Sequence, residues 1–188
     1  MTPSASGSVS APTPLTPAAR AVPVALTVNG ERRALDVEAR RSLADVLRRD
    51  LRLTGTQVGC ETGVCGSCTV LLDDEPVRSC AVLAVQADGG CVETVESVAA
   101  PDGELGSLQA AFRDNFAVQC GFCTPGFLML ATALLRRDPE PDRGAVRACV
   151  SANLCRCTGY QSIVDAVSAA AGAARAEAVA EAAAEETP

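Results

Sequence analysis

The sequence predicts an α+β protein: a small sheet with one helix, followed by a group of helices. Between Val22 and Val95 apolar residues alternate or form short runs bounded by turn residues, as in short strands. From Leu105 onward they recur every three or four positions, as in helices that share a buried face. A length of 188 residues with a 48% apolar share and five aromatic rings allows one or two domains with modest cores.

The elements follow in order. Residues 1–21 are mostly Ser, Thr, Pro, Ala and Gly, which cannot bury enough apolar surface to offset the entropy of ordering, and they predict a disordered arm. Val24, Leu26 and Val28 alternate up to Asn29-Gly30, a hairpin signal, and Leu35 and Val37 continue on the return strand. Ser42 with Asp45 resembles a capping box, and Leu43, Val46, Leu47 and Leu51 keep helical spacing until the Gly55 region. A Gly-punctuated loop with Cys60, Cys65 and Cys68 leads into an apolar run, Thr69 to Leu72. Asp73-Asp74 reads as a turn, and Val77 to Leu83 and Cys91 to Val95 read as further strands.

In the second half, Leu105, Leu108, Ala111 and Phe112 mark one helix. Phe127, Leu128, Ala131, Leu134 and Leu135 mark a stronger one, stopped by Asp138-Pro139. Val146 to Val150 suggest a third, and Tyr160 onward a fourth, with Ile163, Val164 and Val167 on one face. Four short helices with short loops favour a small bundle. Residues 173–188 are largely Ala and Glu, helix-prone but without an apolar stripe, and predict a solvated or frayed tail. The expected divisions are thus an arm over 1–21, a sheet domain over 22–98, a helical domain over 99–172 and a tail over 173–188.

Composition excludes several functions. With no His, nucleophilic sites built on imidazole, zinc sites containing His and Rieske-type clusters are ruled out. A net charge of -7 repels phosphate backbones, and five aromatics leave few platforms for bases, so nucleic-acid binding is not expected. No stretch approaches a membrane span, and the first residues lack the basic start and apolar block of a signal peptide. Arg32-Arg33 and Arg40-Arg41 lead into charged sequence rather than an apolar export segment. A cytoplasmic protein is expected, in which cysteines at set spacings hold metal or do redox work more often than they form structural disulfides.

Ten cysteines then need an account. Cys60, Cys65 and Cys68 have the spacing C-x4-C-x2-C, with Cys80 after eleven more residues, the plant-type ferredoxin arrangement for a 2Fe-2S cluster. Such a cluster with four thiolates carries a formal charge of about minus two and needs donors around its sulfurs. Gly59, Gly63 and Gly66 let the loop curl and turn N–H groups inward. A zinc loop is the competing reading, but zinc prefers two pairs spaced C-x2-4-C.

Cys120, Cys123, Cys155 and Cys157 form a second set, C-x2-C and then C-x-C after thirty-one residues. Thr124-Pro125 reads as an N-cap with a proline at the first helical position, and Thr158 to Gln161 reads as a capping box. Each cysteine pair therefore precedes a helix start, where unpaired N–H groups favour anionic sulfur. Spacing alone leaves a structural four-cysteine zinc site open for this set. Cys91 and Cys149 read as small buried hydrophobes. Arg78 and Arg156 lie near these cysteines in sequence and are candidates for offsetting cluster charge.

Four strings make the pattern recognisable: Leu53-Thr-Gly-Thr-Gln-Val-Gly-Cys60, Gly63-Val-Cys-Gly-Ser-Cys-Thr-Val-Leu71, Gln119-Cys-Gly-Phe-Cys-Thr-Pro-Gly126 and Asn153-Leu-Cys-Arg-Cys-Thr-Gly-Tyr160. Together they resemble the small iron-sulfur subunit of the xanthine dehydrogenase family of molybdenum hydroxylases, from about Val22 to Ala170 and including all eight proposed ligands. Ser67, Asp73-Asp74 and Ala152 depart from the family's usual Ala, Asp-Gly and Gly, which touches loop geometry but no ligand.

The resemblance implies a β-grasp ferredoxin-like domain followed by a four-helix bundle with approximate two-fold symmetry, each binding one 2Fe-2S cluster. It implies a large subunit with a molybdenum-pterin cofactor, usually a medium FAD subunit, and a dimer of such heterotrimers. It places the Cys120, Cys123, Cys155 and Cys157 cluster next to molybdenum and the Cys60, Cys65, Cys68 and Cys80 cluster toward the flavin. Gln119 matches a position whose amide contacts the pterin. The chain would then pass single electrons and bind no organic substrate itself. A free-standing ferredoxin-like carrier is the alternative, and a zinc-bearing interaction scaffold a third reading. Fumarate or succinate enzymes need a C-x2-C-x2-C-x3-C-P run, which is absent.

Overall fold

The alternation at the start of the chain closes into an antiparallel hairpin, β1 (Ala21–Val28) with β2 (Glu31–Glu38), in the register Val28↔Glu31 to Ala21↔Glu38. Asn29 and Gly30 turn it with φ of 49° and 83°, the left-handed pair a two-residue hairpin requires. The structure, a computed structural model, describes residues 21–99 and 103–185, with side chains through 173. Except for Ala21, which opens β1, the arm expected over 1–21 lies outside the described residues.

Three further strands complete one mixed sheet: β3 (Thr69–Leu72), β4 (Glu75–Arg78) and β5 (Cys91–Glu93), in the order β2-β1-β5-β3-β4. Only the β1/β5 pairing is parallel, which requires the chain to cross over between them. The crossover carries α1 (Leu43–Asp45), which widens at once into a π-helical turn over Val46–Asp50. Ser42 caps it by accepting from the Asp45 amide at 3.1 Å. Leu43, Val46 and Leu47 are buried with Val24, Leu26, Val28, Val37, Val70 and Val92 in one apolar layer between helix and sheet. The edge strand β2 keeps Glu31, Arg32 and Arg33 exposed, which discourages pairing with a further strand.

Several expected elements come out differently. The strand read over Val77 to Leu83 ends at Arg78, and Ser79–Ala81 forms a 3-10 turn, with Leu83 returning only as a single bridge to Ser42. The Ser79 amide and hydroxyl both donate to the Cys68 carbonyl, at 3.3 and 2.7 Å, so the chain is still tied beside β3 at the residue where the turn begins. The strand read over Cys91 to Val95 stops at Glu93, and Val95–Ser97 is another 3-10 turn. A third such turn, Ala84–Ala87, carries no sequence signal beyond its buried alanines. Cys91, expected to be buried, is exposed. Strand alternation puts Val92 in the core, which leaves Cys91 on the opposite face.

The second half consists of α2 (Ser107–Asp114), α3 (Thr124–Arg137), α4 (Arg143–Ser151) and α5 (Gln161–Glu185). Leu108, Phe112, Phe127, Leu128, Ala131, Val146, Val150, Ile163, Val164 and Val167 interlock in their common core. Leu105 precedes α2 and is exposed. Helix α5 runs through Gly172 to Glu185. Alanine and glutamate are strong helix formers, and one glycine costs only about 1 kcal/mol there.

The halves form a single body because α3 lies against the sheet. Leu71 of β3 and Met129 and Ala133 of α3 share a small buried cluster. Arg136 donates to both Glu93 carboxylate oxygens at 2.8 Å and to Asp74 at 3.0 Å, and Arg137 reaches Glu75 at 3.0 Å. The result is a two-domain α+β fold with a mixed sheet and five helices. No helix among the described residues is long and apolar enough to cross a membrane.

Candidate iron-sulfur sites

The first site is assembled by one loop and one hairpin. The β3/β4 register, Thr69↔Arg78, sets Cys68, just before β3, beside Ser79 and so beside Cys80. Asp73 and Asp74 make the tight turn with φ of 50° and 65°, a left-handed conformation that short polar side chains tolerate. Cys60 and Cys65 come from the loop ahead of β3. The amides of Thr62 and Cys65 donate to the Cys60 sulfur at 3.5 and 3.4 Å, so the loop does turn N–H groups toward sulfur. Gly63 and Gly66 adopt φ of 77° and 79° to allow it.

Crowding sulfur atoms has an electrostatic cost, visible in their acidities. Cys60 is lowered to about 6 by the Thr62 hydroxyl and then by the Cys65 and Thr62 amides. Cys80 is raised to about 11 by burial first, then by its hydrogen bond with Cys68 and the nearby charge of Cys68 and Cys60. Four such groups cannot all ionise in one place unless a cation balances them.

The second site joins two loops that are far apart in sequence. Cys120 and Cys123 lie between α2 and α3, and Cys155 and Cys157 between α4 and α5. The Cys157 and Cys120 sulfurs are 3.6 Å apart. Cys123 and Cys155 share a hydrogen bond. Among the described residues no three Cys, Asp or Glu side chains converge as ligands of a single ion. The sulfurs instead meet in two pairs, each with one member from either loop, a donor set that suits a binuclear centre with two thiolates per iron.

Thr158 serves Cys155 directly: its amide and hydroxyl lie 3.5 and 3.1 Å from that sulfur. Burial raises the Cys155 pKa, but Thr158, the Cys157 amide and Cys123 together outweigh it, so the net shift is downward. Cys123 is pushed up to about 12 by burial and by its neighbour Cys155. Cys157 is raised by its hydrogen bond with Cys120 and then by burial.

Both predicted caps differ. The residue before α3 is Cys123, with Thr124 already helical, and α5 starts at Gln161, after Tyr160 at φ 70°. Thr158 Oγ1 accepts from the Tyr160 amide, ahead of the helix, and also lies 3.1 Å from the Cys155 sulfur. Sequence reasoning overlooked Tyr160 itself. Its hydroxyl accepts from the Cys155 amide at 2.9 Å, and its ring meets Phe127 edge-on at 6.4 Å.

Gln119 and Cys120 are exposed in the α2–α3 loop. Arg156 is exposed, whereas Arg78 is half-buried and donates to Thr69 Oγ1 at 2.8 Å and to the Ala152 carbonyl at 2.6 Å. Cys149 is half-buried against the Leu130 carbonyl at 3.6 Å, and burial raises its pKa.

A mixed-sheet half and a helical half, each gathering four cysteines, define a protein with two iron-sulfur sites. The comparisons agree. Residues 26–96 match the model of a 2Fe-2S iron-sulfur cluster binding domain, and residues 94–168 that of a [2Fe-2S] binding domain. The nicotine 6-hydroxylase small subunit of Paenarthrobacter nicotinovorans is 54% identical over 80% of this chain and 90% of its own. The caffeine dehydrogenase subunit gamma of Pseudomonas sp. (strain CBB1) is 53% identical over 77% and 87%. A chain of quinoline 2-oxidoreductase from Pseudomonas putida 86 superposes with a TM-score of 0.79 at 50% identity, over 84% of this chain and 98% of its own. The chain belongs to the family of small 2Fe-2S subunits of molybdenum hydroxylases.

Proposed function

We propose that this chain carries single electrons from a molybdenum-pterin centre, through two 2Fe-2S clusters of its own, to FAD. Cys60, Cys65, Cys68 and Cys80 hold one cluster, and Cys120, Cys123, Cys155 and Cys157 hold the other. The observation that carries the reading is that the fold collects eight cysteines into two sets and joins those sets through one hydrogen bond, from the Leu154 amide to the Cys65 carbonyl at 2.8 Å. When bound, a 2Fe-2S cluster supplies a one-electron couple. The residues of this chain supply the rest. Amides of Thr62, Cys65 and Thr158 donate to sulfur and stabilise its negative charge. The Tyr160 hydroxyl holds the Cys155 backbone in place.

The chain acts as a subunit of a larger oxidoreductase, with the organic substrate bound on another chain. Around Gln119 and Cys120, the loop presents Phe116 (82% exposed), Val118 and Phe122 to solvent. Apolar side chains clustered in this way suit burial by a partner. We assign that face to the large molybdenum subunit, with Gln119 reaching the pterin, and the loop around Cys60 to a medium FAD subunit, in a dimer of heterotrimers. Segments 22–98 and 99–172 then act as a ferredoxin-like domain and a four-helix bundle. A free-standing carrier is the weaker reading, because the relatives are named as subunits.

The test is the complex purified from native extract. Iron and acid-labile sulfide analysis, with low-temperature paramagnetic resonance after dithionite reduction, should show two distinct 2Fe-2S signals in a fraction larger than this chain alone. A single signal, zinc in the second site, or elution as a free small protein would refute the assignment.

A further inference from the structure

Three consecutive residues ahead of Cys155 are held by the first half of the molecule. The Ala152 carbonyl accepts from Arg78 Nη2, and the Leu154 amide donates to Cys65. Between them Asn153 turns its side chain inward, at 1% exposure. A Cβ on Gly66 would overlap the Asn153 amide oxygen. A Cβ on Gly126, in the first turn of α3, would lie 2.8 Å from Asn153 Nδ2 and overlap the Gly66 carbonyl. Asn153 therefore packs against both Gly66 and Gly126, whose backbones also touch each other, while its own segment carries Cys155 and Cys157.

Neither polar atom of that amide has a hydrogen-bond partner among the described residues. A buried amide without partners is destabilising compared with an apolar side chain of like size, so core packing alone does not account for an asparagine at this position. What the position does require is a small side chain, since the Gly66 and Gly126 backbones both crowd it. A bonded route between the two sets runs alongside: from Cys65 across its carbonyl to the Leu154 amide, and along the chain to Cys155.

We propose that Asn153 is a positioning residue that sets the separation of the two cysteine sites and keeps the Cys65–Leu154 hydrogen bond closed as the crossing point for electrons. This rests on the two-cluster reading above. One electron leaves one 2Fe-2S centre as the other gains it, and no proton or bond changes hands. Removing the side chain lets the 152–154 segment shift toward the contact of Gly66 with Gly126, which changes both the distance and the route.

The test uses the assembled complex carrying Asn153→Ala, with Asn153→Ser as a milder truncation should the first variant lose a cluster. After full reduction, the magnetic dipolar splitting between the two centres reports their separation, because it falls with its cube. Flash reduction followed by freeze-quenching reports transfer between them. The expected result is full iron content and both individual signals retained, a shifted splitting, and measurably slower inter-centre transfer. Loaded variants with unchanged splitting and unchanged transfer overturn the proposal. A parent complex with only one centre overturns the two-cluster reading instead.

Discussion

Replacing Arg78 with Met would probe how firmly the two halves are joined. Arg78 is half-buried, and its guanidinium makes two bonds, to Thr69 Oγ1 at 2.8 Å and across the seam to the Ala152 carbonyl at 2.6 Å. Methionine keeps most of the apolar stem and loses both donors. A hydrogen bond involving a charged group contributes about 1.5–3 kcal/mol. The sum is smaller than twice that here. Thr69 keeps its bond to the Gly66 carbonyl at 2.6 Å, and Ala152 is exposed, so water can replace the arginine. A net loss of about 1.5–3 kcal/mol in the local closing of the seam follows. Hydrogen-deuterium exchange of the Leu154 amide is the assay, because that group is protected only while it bonds to Cys65. Its exchange should speed up by roughly 10- to 150-fold, at about 1.4 kcal/mol per tenfold. Unchanged exchange at Leu154, or an equal acceleration throughout the buried face of α3, would refute the argument that Arg78 acts at the seam.

Other perturbations follow from the same contacts. Phe127→Ala removes a ring that is 2% exposed and stacked edge-on to Tyr160, and should cost about 3–5 kcal/mol, lowering Tm by roughly 6–20 °C in calorimetry. In the cluster-free chain at neutral pH, iodoacetamide should modify Cys60 (about 6) well ahead of Cys80 (about 11) and Cys123 (about 12). Mass mapping should show the rate of Cys60 modification falling as the pH drops through about 6, where its thiolate is protonated. Glu93→Gln removes a carboxylate held below its usual range by the Arg136 hydrogen bond, with burial opposing and the Arg136 charge assisting. A lowered folded pKa stabilises only above the unfolded value, so the variant should be weaker by about 0.5–1 kcal/mol at neutral pH. The two proteins should converge as the pH falls through the lowered Glu93 pKa, and urea midpoints that stay apart in acid would count against the ion pair.

How much of the fold was legible depended on how local each signal was. The β1/β2 hairpin could be read from Asn29-Gly30 and the alternation around it, because turn type and register are set by neighbouring residues. Helix α3 could be read from its apolar spacing and Pro125. The Ser79–Ala81 turn could not, because apolar spacing alone does not mark where β4 leaves β3, and its first residue is tied to Cys68, eleven residues away in sequence. The two caps were misplaced because each helix starts away from the expected position, α3 at Thr124 itself and α5 three residues after Thr158. Thr158 Oγ1 lies beside the Cys155 sulfur, and nothing in the local sequence marks that contact. The exposure of Cys91 followed from which face β5 turns to α1, a matter of pairing with β1 and β3.

The eight-cysteine pattern was complete in the sequence, because ligand type and loop spacing are properties of short segments. The glycines and threonines around those cysteines stated the same chemistry. Only the tertiary structure decided that the two sets share a seam, and that the seam consists of Arg78, Asn153 and the Leu154 amide closing on Cys65. The two sides of that seam, Cys65 and Arg78 on one and Asn153 and Leu154 on the other, lie more than seventy positions apart along the chain. Their meeting depends on α3 packing against β3, and a long-range packing of this kind leaves no mark in local composition or periodicity.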